Sequence, residues 1–292
     1  TEDLPLPVHN RLTSLALELK RSVNKNGSSP QTLRKKTLVL LFQKPSTRTR
    51  VAFETGIMQL GGNCIFMTED SSQLVRGEQI RDTARVISSM VQAIIIRAKN
   101  HKTIEEFALY SSVPIINALS SDFHPCQLLA DMMTFYELRG SIKGKKVAWC
   151  GDGNNVCCSY IQSAKIYGFK LHLAIPSKYL PPKEFLNQYR ENLVIEMELE
   201  KAIKNADLVC TDVWVSMGDK NAVKKSRDLK AYQVTQKLLD TAKDEVLFMH
   251  CLPAQEGKEV AHGLLDDPRS AVWQQAENRL HSQKALLSYL LK

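Results

Sequence analysis

Apolar and polar residues alternate along this chain in two rhythms. Short unbroken apolar runs read as buried strands, and longer segments with apolar residues every three or four positions read as helices. In the first half, Leu38–Phe42, Cys64–Met67, Ala93–Ile96 and Pro114–Asn117 are the strand candidates. Helical periodicity separates them near residues 50–60, 79–90, 103–111 and 125–138. The polar, glycine-bearing stretch Leu138 to Lys145 interrupts the pattern and is the expected domain boundary. A second series opens with a strand at Lys146–Cys150, then a turn, a helix through Gly168 and a strand at Leu171–Ile175. Further strands are expected at Leu208–Thr211 and Val246–Met249, and the segment Gln275 to Lys292 is helical. Asn24 to Ser29 reads as a surface loop. Strands alternating with helices predict an α/β fold with parallel sheets.

Composition narrows the class. A chain of 292 residues, 43% hydrophobic and 24% charged, has the makeup of a soluble globular protein with one large or two medium domains. No apolar run approaches the ~20 residues that span a bilayer. The acidic start Thr1-Glu2-Asp3-Leu4-Pro5 lacks the basic-then-apolar order of a signal peptide. Seven cysteines are scattered without C-x-x-C spacing, which argues against a disulfide framework or a zinc site and for the reducing cytoplasm. The formal charge of +8 is dispersed rather than clustered with aromatics, so anionic small molecules fit it better than nucleic acid.

The richest chemistry lies in Ser46-Thr47-Arg48-Thr49-Arg50, which follows an apolar strand and opens a helix. Hydroxyls, guanidinium groups and unpaired N–H groups converge at a helix start that carries positive partial charge. An N-cap with flanking surface arginines is the plain reading of Ser-Thr; the added arginines and second threonine favour a phosphate cradle. Gly151-Asp152-Gly153-Asn154-Asn155 occupies a strand–helix turn but lacks the third glycine of a dinucleotide fingerprint. Its next strand lacks the acidic residue that would hold a ribose, so a nicotinamide dehydrogenase is disfavoured. The two carboxamides at that strand end can meet both a carboxylate and an amine.

Several other residues have two readings each. His124, in His124-Pro125-Cys126-Gln127, is either a cap or core residue, or with Gln127 a ligand to one polar atom. Arg97, closing Ala93–Ile96, is either a solvated strand end or a site residue. Asp212 to Gly218 follows a strand and has the composition of a turn or of a lid anchored by Trp214 and Met217. Cys251, in His250-Cys251-Leu252-Pro253, is either a packing residue or a weak acid near a substrate. Leu252-Pro253 is a candidate cis peptide.

Taken together and in order, these motifs resemble those of the ornithine carbamoyltransferases. Supporting stretches are Arg76-Gly77-Glu78, Asp82 to Val86 and Ala276-Glu277-Asn278-Arg279. The first two motifs are shared with aspartate carbamoyltransferases; the Ser216-Met217-Gly218 loop and the His-Cys-Leu-Pro segment point to ornithine. Gln43 departs from the pattern, standing where an acidic residue is common.

The resemblance implies transfer of the carbamoyl group of carbamoyl phosphate to the side-chain amine of L-ornithine, giving L-citrulline and phosphate in arginine metabolism. It implies no metal and no organic cofactor. Ser46, Thr47, Arg48 and Thr49 would hold phosphate, with Arg97, His124 and Gln127 on the carbamoyl group. Arg279 would complete the carbamoyl phosphate site, with Gln73 reaching it from a neighbouring subunit. Asn155, Asp212, Ser216 and Met217 would grip ornithine. Cys251 and Leu252 would lie by the reacting amine and carbamoyl group.

By the same resemblance, two α/β domains face each other across the site. Residues 1–138 with the returning helix 275–292 would bind carbamoyl phosphate, and residues 139–274 ornithine. The expected assembly is a homotrimer, alone or as a set of trimers, without nucleic acid or membrane partners. Putrescine, N-acylated ornithine or aspartate as the amine, and a non-catalytic small-anion binding protein, are the competing readings.

Overall fold

The computed structural model describes residues 2–215 and 221–292. The chain divides into two compact units. The amino-terminal unit comprises Pro7–Met133 with Glu277–Lys292. Its elements begin with α1 (Leu6–Asn26), β1 (Thr37–Phe42), α2 (Thr47–Gln59), β2 (Asn63–Thr68), α3 (Ile80–Ser88) and β3 (Ala93–Arg97). They continue with α4 (His101–Tyr110), β4 (Ile115–Leu119) and the first part of α5 (Pro125–Arg139). The strands form one parallel sheet in the order β2-β1-β3-β4. Apolar side chains of β1 and β3 are buried, as strands covered on both faces require. Val39, Leu41, Ile94 and Ile96 pack with Ala84, Ile104 and Phe107 on one face.

The carboxy-side unit comprises Thr134–Ala276 and the residues up to Leu6. It contains β5 (Lys146–Cys150), α6 (Asn155–Tyr167), β6 (Lys170–Ala174), α7 (Lys183–Gln188), β7 (Leu193–Glu196) and α8 (Leu199–Ile203). These are followed by β8 (Leu208–Thr211), α9 (Ala222–Leu229), α10 (Gln236–Leu239) and β9 (Leu247–His250). Its parallel sheet runs β7-β6-β5-β8-β9. Chain order reverses between β6 and β8 on either side of β5. That is the switch point at which open α/β sheets place ligands beyond their carboxyl ends.

The last helix, α11 (Val272–Leu290), sends its second part into the amino-terminal unit. There Lys20 donates to Asn278 Oδ1 at 2.8 Å, and the buried Lys284 donates to Ser29 Oγ and to Gln59 Oε1. The expected return of this helix is therefore observed. The loop expected from Asn24 to Ser29 is shorter and less exposed than its composition suggests: α1 continues to Asn26, and Ser29 is buried against Lys284. β7 is a further strand outside the apolar-run pattern. It lies at a sheet edge with Val194 and Ile195 exposed, so no continuous buried run marks it.

Candidate active site

In the amino-terminal unit, the carboxyl ends of β1 and β3 and the starts of α2 and α5 carry the polar groups. Ser46 is the N-cap of α2, with extended backbone, and accepts from the Thr49 N–H at 3.4 Å. Its side chain thus performs the plain capping role, while Thr47 and Arg48 stay accessible at the same helix start. Thr49 is fully buried and accepts from Arg279 Nη2 at 2.6 Å. Arg50 turns away. Its Nε donates to Glu54 at 2.8 Å and its guanidinium lies 3.6 Å over the Phe66 ring, so only one of the two motif arginines is left for an anion.

His124 is buried, and that burial pushes its pKa well below the ordinary histidine value. The positive charges of Arg279 and Arg97 push it further in the same direction, which places the three side chains in one electrostatic neighbourhood. The imidazole is therefore neutral, with one N–H to donate. Gln127, in the first turn of α5, donates from Nε2 to Asp131 Oδ1 at 2.8 Å. That bond engages the amide nitrogen and leaves Oε1 as an acceptor, buried and without a partner among the described residues. Cys126 donates to the Asn117 carbonyl, and burial pushes its pKa up to about 12, so it packs as a thiol.

A register shift between Ile96 and Arg97 in the β3–β4 pairing re-aims the strand end that bears Arg97. Gln43 fixes that end from the β1 side. Its N–H donates to the Arg97 carbonyl at 2.9 Å, and its Oε1 accepts from the Lys99 N–H at 2.9 Å. Gln73 is exposed on a short turn, Gln73–Arg76, of the same unit.

In the carboxy-side unit, the site candidates sit on loops leaving β5, β8 and β9. The β5–α6 turn needs both of its glycines. Gly151 has φ +113°, and a Cβ there would meet the buried Trp214 ring at 3.1 Å; one on Gly153 would lie 2.3 Å from the Tyr179 carbonyl oxygen. Asn154 caps α6, its Oδ1 accepting from the Val156 and Cys157 N–H groups at 3.0 and 3.1 Å. Its Nδ2 donates to Asp212 Oδ2 at 2.7 Å. The other carboxylate oxygen, Oδ1, accepts from the Cys251 thiol at 2.9 Å.

Asp212 is thus held from both sides, with Asn155 in the first turn of α6 beside its anchor. Asp152 in the same turn accepts from Lys225 Nζ of α9 at 2.8 Å. Leu252 joins Pro253 by a cis peptide bond and has φ +54°. Ser216 and Met217 lie outside the described residues. Asp212, His250 and Cys251 also offer ligand atoms within 4.8 Å of one another. His250 Nδ1 accepts from the Leu252 N–H and Cys251 donates to Asp212, so a cation there would compete with both bonds.

Family models match both halves of the chain. The carbamoyl-P binding domain of aspartate/ornithine carbamoyltransferase matches residues 1–137, and the Asp/Orn binding domain matches residues 143–290. The chain belongs to the aspartate/ornithine carbamoyltransferase family. Within that family it is 54% identical over 258 residues to an ornithine carbamoyltransferase of Psychrobacter cryohalolentis, covering 88% of this chain and 85% of that one. It is 51% identical over 276 residues to an anabolic ornithine carbamoyltransferase of Pseudomonas aeruginosa, covering 94% and 90%. The ornithine carbamoyltransferase structure from Pyrococcus furiosus superposes with a TM-score of 0.93 at 41% identity, covering 99% of this chain and 95% of that chain.

Seen as a carbamoyltransferase-family site, the structure adds partnerships that the motifs did not give. Asn154 anchors Asp212, Asp131 orients Gln127, and Gln43 clamps the Arg97 strand end. Adjacent carboxamides were a visible signal for Asn154. The i, i+4 spacing on α5 was one for Asp131.

Proposed function

We propose that this protein carbamoylates L-ornithine, passing the carbamoyl group of carbamoyl phosphate to the side-chain amine and releasing L-citrulline and phosphate. The new bond joins the amine nitrogen to the carbamoyl carbon, the carbon–oxygen bond to phosphate breaks, and the nitrogen loses a proton. Ser46, Thr47, Arg48 and Thr49, at the positive end of α2, hold the phosphate. Arg279, fixed on Thr49, adds a cation. Arg97 and the neutral His124 donate to the carbamoyl oxygen, where negative charge grows in the transition state. Gln127, whose Nε2 is engaged by Asp131, accepts from the carbamoyl amide through Oε1.

Ornithine is gripped by Asn155, Asp212, Ser216 and Met217, with Cys251 and Leu252 beside the reacting amine. An alkylammonium titrates near 10.4, so presenting the free amine at about pH 7 costs about 4.6 kcal/mol. Asp212 and Cys251, already hydrogen-bonded to each other, take up that proton. This pair is the observation that carries the reading: a carboxylate and a thiol suit an amine nucleophile. An aspartate-directed site would instead need cations for a second carboxylate.

The test is incubation with carbamoyl phosphate and, separately, L-ornithine, putrescine, N-acetylornithine, N-succinylornithine or L-aspartate, followed by quantification of the ureido product. Product with ornithine alone is expected. Product with another amine alone would replace ornithine, and carbamoyl phosphate uptake without product would leave an anion-binding protein.

The anabolic name of the Pseudomonas relative supports a role in arginine biosynthesis. Seven free cysteines suit the reducing cytoplasm. Exposed Val51, Met58, Ile65, Val75 and Met90 on the amino-terminal unit, with exposed Gln73, suit a homotrimer in which Gln73 completes a neighbour's site. Light scattering gives the mass. Mixing inactive Gln73→Ala and Arg48→Ala subunits should regenerate activity if sites are shared.

A further inference from the structure

Beneath Cys251 lies a buried pair to which the proposed chemistry assigns no part. His250, the last residue of β9, and Glu259 are each 1% exposed. His250 Nδ1 accepts from the Leu252 N–H at 2.9 Å, which puts the ring proton on Nε2. Nε2 faces Glu259 Oε1 at 3.5 Å, and that same oxygen accepts from the Gln255 N–H. One imidazole and one carboxyl therefore hold the backbone on both sides of the Cys251–Ala254 segment.

The surroundings fix the pair in turn. The His250 N–H donates to Gln275 Oε1 at 3.1 Å. Glu259 is delivered by a tight return in which the Lys258 N–H reaches the Gln255 carbonyl at 2.9 Å and the Gly257 N–H reaches the Val260 carbonyl at 2.8 Å. Its own carbonyl accepts from the Val234 N–H at 2.9 Å.

The held segment needs such support. Leu252 lies in the left-handed region, with φ +54°, where a branched side chain is strained. Its N–H is the group bonded to His250. Without that bond, relaxation of Leu252 would carry the neighbouring Cys251 thiol off Asp212 Oδ1. We propose that His250 and Glu259 are positioning residues for the carbamoyl transfer, locking the left-handed Leu252 so that Cys251 and Leu252 meet the reacting amine. The proposal rests on the reading of Cys251 and Leu252 as residues beside the reacting groups.

The decisive series replaces the acceptor in steps. In His250→Asn the side-chain oxygen can still accept from the N–H two residues on, as in an Asx turn. His250→Ala cannot, and Glu259→Gln keeps an acceptor for Gln255. We expect His250→Ala to lower kcat about a hundredfold with the carbamoyl phosphate KM unchanged. His250→Asn and the double variant His250→Asn/Glu259→Gln should regain most of the loss. Labelling of Cys251 by iodoacetamide, read by peptide mapping without substrates, should change in His250→Ala and return in His250→Asn.

Wild-type kcat and labelling in folded His250→Ala would overturn the proposal, as would equal impairment of His250→Asn and His250→Ala. If His250→Ala does not fold, His250→Leu/Glu259→Gln against His250→Asn/Glu259→Gln decides in the same way. A wild-type protein that makes no citrulline sinks the functional reading instead, and the labelling series still judges the pair.

Discussion

Thr49, His124 and Arg279 of the amino-terminal unit lie below the surface on helix starts and a helix interior, with Arg97 at a strand end. Asn154, Asp212 and Cys251 of the carboxy-side unit come from three loops linked by hydrogen bonds. On the proposed reading, the two arrangements answer different chemical demands. A phosphoanhydride-like donor has fixed charge, and fixed cations with a helix dipole can be built for it in advance. An amine nucleophile must change its protonation during the reaction, so its partners need acceptors and a transferable proton. Rigidity is the device on one side and a hydrogen-bond chain is the device on the other.

That contrast is most exposed to failure at Arg279. Arg279→Ala removes a buried, charge-assisted donor of the kind worth roughly 2–5 kcal/mol, so carbamoyl phosphate affinity should fall by at least about thirtyfold. Calorimetry with the isolated protein reads it directly, and unchanged affinity would dissolve the distinction. Cys251→Ser tests the other half. It should cut kcat by about ten- to a hundredfold and reshape the pH profile while leaving carbamoyl phosphate binding intact; unaltered turnover and profile would remove Cys251 from proton handling.

His124 yields a smaller effect, seen in stability. Its pKa is lowered in the fold, so below about 6.5 the unfolded chain binds a proton that the native protein refuses. The stability that depends on the neutral imidazole is present above that pH and is lost as pH falls, by up to about 1.4 kcal/mol per unit. His124→Gln should lose less stability than wild type between about pH 7.5 and 5.5 in urea titrations. Equal losses would show that His124 is protonated in the fold. Arg50→Ala is the least disruptive. It should cost about 0.5–1 kcal/mol of stability and leave both KM values unchanged, because its ion pair and ring contact are at the surface. A large KM change would return the second motif arginine to the anion site.

The sheets were readable because β1, β3, β5 and β8 are unbroken apolar runs, and periods of that kind survive any tertiary context. Among its described side chains, α1 buries three apolar residues, Leu12, Ala16 and Leu19, alongside the polar His9 and Lys20. β7 is short and half exposed at an edge, where packing rather than pattern decides. Ser46 to Thr49, Arg97, His124, Gln127, Asn155, Asp212 and Cys251 stood out as motifs because they lie at strand ends or helix starts, whereas Arg279 lies inside α11. Their couplings were not: the Arg279–Thr49 and Cys251–Asp212 bonds join distant parts of the sequence. Asn154 illustrates the limit. Adjacent carboxamides announce polar chemistry, yet only the fold reveals that the first holds Asp212 while capping α6.

The crossing of α11 into the amino-terminal unit also bears on biosynthesis. A ribosome delivers α2 and its hydroxyls well before Arg279, which follows Thr49 by 230 residues. The stretch Thr134–Ala276 is continuous and can close first, whereas the amino-terminal unit must wait for its last helix before Ser29, Gln59 and Thr49 gain their cationic partners. On the proposed reading, a nascent chain that stops short of Arg279 therefore holds the carbamoyl donor only weakly, and full grip arrives once α11 has emerged.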